Sequence, residues 1–182
     1  RFEETRVREK IVRSEEIYHG RVVNLVVHEV ELPDGKHSKR ELVRHPGAVA
    51  VVALDDQQQV LLVRQYRIAA DQILHEIPAG TLDPDEGPEA CAVRELQEET
   101  GYKPGRIEHI GGLYVAPGYT TEFIHLYLAT DLQESRLDMD DDEFLEVKRV
   151  PLAEALNMIE RNEIIDGKSI AALLLVARRM GI

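Results

Sequence analysis

The chain has one cysteine, Cys91, so no disulfide can form within it, and a reducing compartment is the expected setting. Flanked by alanines, Cys91 reads as a small buried hydrophobe rather than a nucleophile. No apolar run approaches the roughly 20 residues needed to span a bilayer. The opening RFEETRVREK lacks the apolar core of a signal peptide, so a cytoplasmic location is expected. Basic charge is also short, with 22 Lys and Arg against 34 Asp and Glu and a net charge of −12. Nucleic-acid binding needs a basic footprint, and this balance excludes it. The seven histidines include no H-x-x-x-H pair, which argues against zinc. G-x-S-x-G, P-loop and G-x-G-x-x-G motifs are all absent, removing serine hydrolase, kinase-like and Rossmann readings.

What is present is an ordinary globular composition, 43% apolar and 31% charged over 182 residues. That is enough for one domain with an extension. Residues 1–45 read as strands, with Arg21–Leu32 and Ser38–Arg44 as hairpin arms about the turn Pro33-Asp34-Gly35-Lys36. A hairpin alone is marginal in water, so this segment needs the main domain or another subunit. Pro46-Gly47 marks a boundary, giving a β-rich segment 1–45 and a main domain 46–182.

In the main domain, Ala48–Leu54 and Val60–Tyr66 read as a hairpin across Asp55–Gln59, and Ile73–Ile77 as a shorter strand. Further strands are expected at Ile107–Val115, Glu122–Ala129 and Phe144–Val150. One C-terminal helix runs from Pro151 to Asn162, and Ser169 is expected to cap another. Strands with helices packed on their faces give an α/β or α+β fold around a mixed sheet.

The stretch Gly80–Tyr102 holds the chemistry. A helix should open after Gly87, with Pro88 in its first turn, and close at Gly101. Val93, Leu96 and Thr100 share a face able to pack on a core. Glu95, Glu98 and Glu99 crowd another side. Like charges at helical i,i+4 spacing cost roughly 0.2–0.5 kcal/mol per pair. Acidic groups in a last turn oppose the helix dipole at about 0.3–1 kcal/mol each. Only Arg94 lies near enough in sequence to offset them. A local rule broken this plainly points to a site, and clustered carboxylates suit a hard divalent cation such as Mg²⁺. A solvated acidic face is the plainer alternative.

The spacing Gly80-x5-Glu86-x7-Arg94-Glu95-Leu96-x-Glu98-Glu99-x-Gly101-Tyr102 resembles the Nudix hydrolase signature at all nine specified positions over 23 residues. The resemblance implies a loop–helix–loop in an α/β/α sandwich whose glutamates bind Mg²⁺ or Mn²⁺, two or more ions, while a nucleoside diphosphate derivative is hydrolysed. It makes Glu95 and Glu99 the main metal ligands, Glu98 an additional or water-mediated one, and the Ala79 carbonyl a further one. Glu86 and Arg94 resemble the ion pair that braces the loop on the helix, with Gly80 and Gly101 as the fixed glycines.

A second acidic stretch runs from Leu137 to Glu146. Asp138, Asp140 and Asp142 imitate an EF-hand opening, but Glu143 stands at the obligatory glycine and Arg149 at the bidentate glutamate, so that reading fails. In ADP-ribose-cleaving Nudix proteins, an acidic loop at this place supplies a further metal ligand or general base. Glu143 is the implied residue, with Asp141, Asp142 and Glu146 as rivals and Glu98 as a second catalytic candidate. Pro117, fifteen residues beyond the box and followed by Gly118, resembles the mark of the ADP-ribose pyrophosphatase subgroup. The runs Arg64–Arg67 and Leu74–Gly80 agree with that subgroup. It implies substrate contacts from Arg40, Arg67, Glu76, Pro117 and Gly118, and a homodimer that exchanges its N-terminal strands. The implied reaction is hydrolysis of ADP-ribose to AMP and ribose 5-phosphate, without nucleic-acid or membrane partners. The alternatives are another nucleoside diphosphate sugar, such as GDP-mannose, or a non-catalytic Nudix sensor.

Overall fold

The computed structural model describes residues 7–135, 137 and 144–182. They form two compact units, Arg1–Pro46 with Ala116–Glu122, and Gly47–Val115 with Phe123–Ile182.

In the first unit, β1 (Lys10–His19), β2 (Asn24–Glu31) and β3 (His37–Arg44) make an antiparallel sheet in that order. β2 alternates as a half-buried strand should, with Val26, His28 and Val30 buried. Gly35, at φ 80°, supplies the left-handed residue that its turn to β3 needs. β1 is exposed along all ten residues, with Ile11, Val12, Ile17 and Tyr18 among them. The segment 116–122 joins this unit by edge pairing. Val43 N–H donates to the Tyr119 carbonyl at 2.7 Å, Thr121 N–H to the Val43 carbonyl at 3.0 Å, and His45 N–H to Thr121 Oγ1 at 2.9 Å. The loop carrying Pro117 and Gly118 therefore clusters with the N-terminal strands, whereas the sequence places it in the main domain.

The second unit is layered about β4 (Ala48–Ala53), all six of whose residues are buried. β4 lies between β7 (Ala79–Thr81) and β9 (Phe123–Glu134) in a four-stranded mixed sheet that β8 (Tyr102–Tyr114) completes. The β4–β9 pair is parallel and its neighbours are antiparallel. A strand covered on both faces reads as a continuous apolar run, as Ala48–Ala53 does. Ala48, Ala50 and Val52 face a cluster with Leu152, Ala155 and Met158 of α2 (Leu152–Glu160) and Ala172, Leu173 and Val176 of α3 (Gly167–Met180). Val49, Val51 and Ala53 face Cys91, Ala92 and Leu96 of α1 (Pro88–Thr100). Helices thus cover both faces of the sheet.

Two sequence expectations need correction. β4 and β5 (Gln59–Arg67) meet at a single bridge, Leu54 to Val60, and then part. β5 instead pairs with β6 (Gln72–Glu76) and β10 (Leu145–Pro151) in a second, antiparallel sheet. Two adjacent apolar strands with a turn between them match a hairpin, and their partners lie too far along the chain for local pattern to show. Secondly, Asp166 and not Ser169 caps α3: its carboxylate accepts the Ser169 N–H at 3.0 Å. Among the described residues no helix is long and apolar enough to cross a membrane.

Leu173 is fully buried against β4. Leu173→Ala should cost about 2–5 kcal/mol, read as a lower urea midpoint with an unchanged m-value. A cost below about 0.5 kcal/mol, the level of a surface substitution, would contradict the layering.

Candidate active site

α1 opens at Gly87 with Pro88 in its first turn and closes at Gly101, whose φ of 79° and N–H bond to the Gln97 carbonyl form a left-handed cap. Its buried residues are Cys91, Ala92, Glu95, Leu96, Gln97 and Glu99, while Val93 and Thr100 are only half-buried. The inward stripe runs through Cys91, Glu95 and Glu99 at four-residue steps, so two glutamates occupy positions that an apolar pattern would fill. Glu95 is 8% and Glu99 3% exposed. Buried charge needs partners.

Arg94 supplies them on one side. Its Nη1 reaches Glu95 Oε1 at 2.8 Å and Glu98 Oε2 at 2.9 Å, and its Nε and Nη2 grip Glu86 at 2.9 and 2.8 Å. The bidentate Arg94 contact lowers the Glu86 carboxyl from an ordinary 4.5 to about 2. The same carboxylates push the Arg94 guanidinium further up. On the other side, Glu99 Oε2 accepts the Ala79 N–H at 3.1 Å. Gly80 lies against Glu95: a Cβ on it would stand 1.9 Å from the carboxylate. The box loop and helix therefore close on each other through a glycine, an arginine and a buried carboxylate.

Among the described residues no three His, Cys, Asp or Glu side chains converge as a metal-binding group. The reason is local, since Glu95 and Glu98 both turn to Arg94 and Glu99 turns to the Ala79 amide. The donor set is nonetheless all hard oxygen, the kind Mg²⁺ and Mn²⁺ take. Cys91 is no nucleophile: burial first, then Glu86, raises its thiol pKa. A hollow of about 730 Å³ flanks α1 near Pro88, Val93 and Tyr127, and it includes none of the box glutamates at 86, 95, 98 and 99.

The remaining candidates separate. Arg67 donates from Nε and Nη2 to Glu76 at 2.8 and 2.9 Å, and its side chain is 41% exposed. Glu76 is 1% exposed, and its Oε2 also holds the Lys168 ammonium. Burial works against the charged form of Glu76, but Arg67 and Lys168 outweigh it and its pKa falls. Glu76 thus holds the Arg67 guanidinium through a two-point ion pair. Arg40, Pro117 and Gly118 belong to the first unit. Arg40 there makes a two-point ion pair with Glu9, Nε at 3.0 Å. Glu146 pairs with Arg64 at 2.7 Å. Glu143 and its rivals Asp141 and Asp142 lie outside the described residues. Lys168 and Asp166 escaped the sequence reading and Ser169 was read as a helix cap alone; a short Asp-Gly-Lys-Ser run before a helix looks like ordinary capping.

The chain belongs to the Nudix hydrolases: the NUDIX domain matches residues 44–173, and the nucleoside diphosphate sugar hydrolase N-terminal domain matches residues 9–43. Nudix hydrolases generally use divalent metal ions. The chain is 44% identical to an ADP-ribose pyrophosphatase of Bacillus subtilis (strain 168) over 91% of its own length and 90% of the relative's. It is equally identical, with the same coverage, to a methanol dehydrogenase activator of Bacillus methanolicus. A GDP-mannose pyrophosphatase of Klebsiella pneumoniae is 36% identical over 84% of this chain and 82% of that one. The crystal structure of an ADP compounds hydrolase superposes with a TM-score of 0.85 at 25% identity, covering 95% of this chain and 94% of the other.

Gly80→Ala should drive the Glu95 carboxylate from its seat and cut hydrolytic turnover by about tenfold or more with far-UV circular dichroism unchanged. Retained activity would show the close approach to be incidental. A depressed carboxyl pKa stabilises the fold above its unfolded value, and that contribution fades as pH falls through the folded value. Glu86→Gln should therefore lower Tm at pH 7, and its deficit against wild type should shrink from about pH 4.5 towards pH 2. A deficit independent of pH would exclude the ion pair as its source.

Proposed function

We propose that the chain hydrolyses the diphosphate of ADP-ribose to AMP and ribose 5-phosphate. Glu95, Glu99 and Glu98 would hold Mg²⁺ or Mn²⁺, two or more ions, with the Ala79 carbonyl as a further ligand. The observation that carries the reading is the pair of buried carboxylates, Glu95 and Glu99, seated against Gly80 and Ala79. Such a costly arrangement has little structural use, since α1 would be steadier with apolar residues there. The 44% identity to an ADP-ribose pyrophosphatase supports the substrate.

Bound there, a divalent ion neutralises charge on the diphosphate oxygens and makes a water a stronger acid. The chain's own groups do the rest. Arg67, oriented by Glu76, grips the diphosphate or the terminal ribose, and Arg40 serves likewise once its Glu9 pair opens. The loop at Pro117 and Gly118 lines the substrate. Glu98 or Glu143, the latter in the acidic loop, takes the proton from water as its oxygen bonds to phosphorus and the bridging P–O bond breaks. Arg94 stays on Glu86 and keeps the loop on the helix.

The protein works as a cytoplasmic homodimer, without nucleic-acid or membrane partners, in this reading. The exposed apolar side chains of edge strand β1 support it, because a bare edge strand invites pairing with a second copy. A second substrate, GDP-mannose, is favoured by the 36% identical pyrophosphatase of that name.

A panel of nucleoside diphosphate sugars should give the highest kcat/KM with ADP-ribose; a higher value for GDP-mannose reverses the order. Glu99→Gln should fold as wild type and lose about two to four orders of magnitude in kcat. Turnover within a few-fold of wild type would remove Glu99 from the machinery, whereas no turnover by wild type on any member of the panel would leave a non-catalytic sensor as the better account.

A further inference from the structure

Ser169 is fully buried, and its hydroxyl reaches beyond its own helix cap. The backbone N–H of Ser169 takes the capping bond to Asp166 Oδ2. The hydroxyl donates to the same Asp166 oxygen and accepts the Ile77 N–H at 2.9 Å. Ile77 stands two residues before Ala79, at the exit of β6. Along that exit three polar backbone groups are held by three different elements. Ile77 N–H goes to α3 through Ser169, the Pro78 carbonyl accepts Val51 N–H of β4 at 2.8 Å, and Ala79 N–H goes to Glu99 of α1. Lys168 adds a second tie from the same helix start, with Nζ on Glu76 Oε2 and 3.1 Å from Asp166 Oδ2.

We propose that Ser169, locked by Asp166, is a positioning residue for the metal-ligating corner formed by Ala79 and Glu99. α3 reaches that corner through the Ile77 amide from across the sheet. A hydroxyl is the group needed, because one atom must accept from Ile77 and donate to Asp166 at once. Without it, a buried N–H and a half-buried carboxylate each lose a partner, and the Ile77–Pro78–Ala79 turn is released at one of its three attachments. Neither Ser169 nor Asp166 touches substrate in this arrangement. The inference rests on the assignment of Glu99 and Ala79 as metal ligands.

The test is Mn²⁺ titration by calorimetry without substrate, on wild type, Ser169→Ala and Glu99→Gln, with Tm recorded for each. It is paired with hydrogen exchange at the Ala79 amide in metal-free protein. Ser169→Ala should remain folded at 25 °C, weaken Mn²⁺ binding about 10–100-fold and speed Ala79 exchange. It should lower kcat more than it raises KM. Folded Ser169→Ala that binds Mn²⁺ within twofold of wild type, while Glu99→Gln loses binding, overturns the role of Ser169 alone. Binding unaffected by Glu99→Gln overturns the metal assignment beneath it. Should Ser169→Ala fail to fold, Ser169→Cys, whose thiol is a weak donor and a weak acceptor at the same place, decides by the same thresholds.

Discussion

Everything around the box follows from carboxylates packed where a helix would otherwise bury hydrocarbon. A charged group taken out of water must be met by hydrogen bonds or an opposite charge, or it neutralises. α1 meets that demand by recruiting its surroundings: Arg94 from its own turn, the Ala79 amide from β7, and the open space that a glycine at 80 leaves for Glu95. Arg94 among the glutamates at 86, 95, 98 and 99, with Arg67 near enough for its charge to act on Glu99, leaves carboxylates outnumbering guanidiniums. That residue of charge is the physical basis for expecting a cation.

The scaffold makes such a strained helix affordable. β4 has no solvent face, so α1 on one side and α2 and α3 on the other are fixed by the same six residues. The two faces communicate where the strand order changes, at the Ile77–Ala79 exit, and α3 meets that exit with polar atoms rather than a flat apolar surface. Beneath Arg67, Glu76 and Lys168 form a buried charged base that leaves the guanidinium partly open to solvent. Rigid support below and an accessible guanidinium above would suit the diphosphate contact proposed for Arg67.

The box was legible in the sequence because its residues are close in the chain and its turn chemistry is strong. Pro88 and Gly101 bound α1 as the capping rules require. The core face of that helix was misread, since Glu95 and Glu99 count as polar in any apolar pattern and Val93 and Thr100 do not mark the buried stripe. Long-range relations were hidden for a simpler reason. The parting of β4 from β5, the attachment of residues 116–122 to β3 and the bond from Ser169 to Ile77 each join positions that carry no local signal of each other. The box glutamates were therefore read before Lys168 and Asp166, whose ties to the Glu76–Ala79 segment carry no local signal.

The way residues 116–122 are held has a practical consequence. Their backbone partners are Val43 and their own neighbours, and Thr121 also braces His45. Cutting away the N-terminal strands would strip this internal loop of its hydrogen-bonding edge, although the break in the chain lies some seventy residues upstream of it. A shortened version of the protein would for that reason be damaged in two places by one deletion.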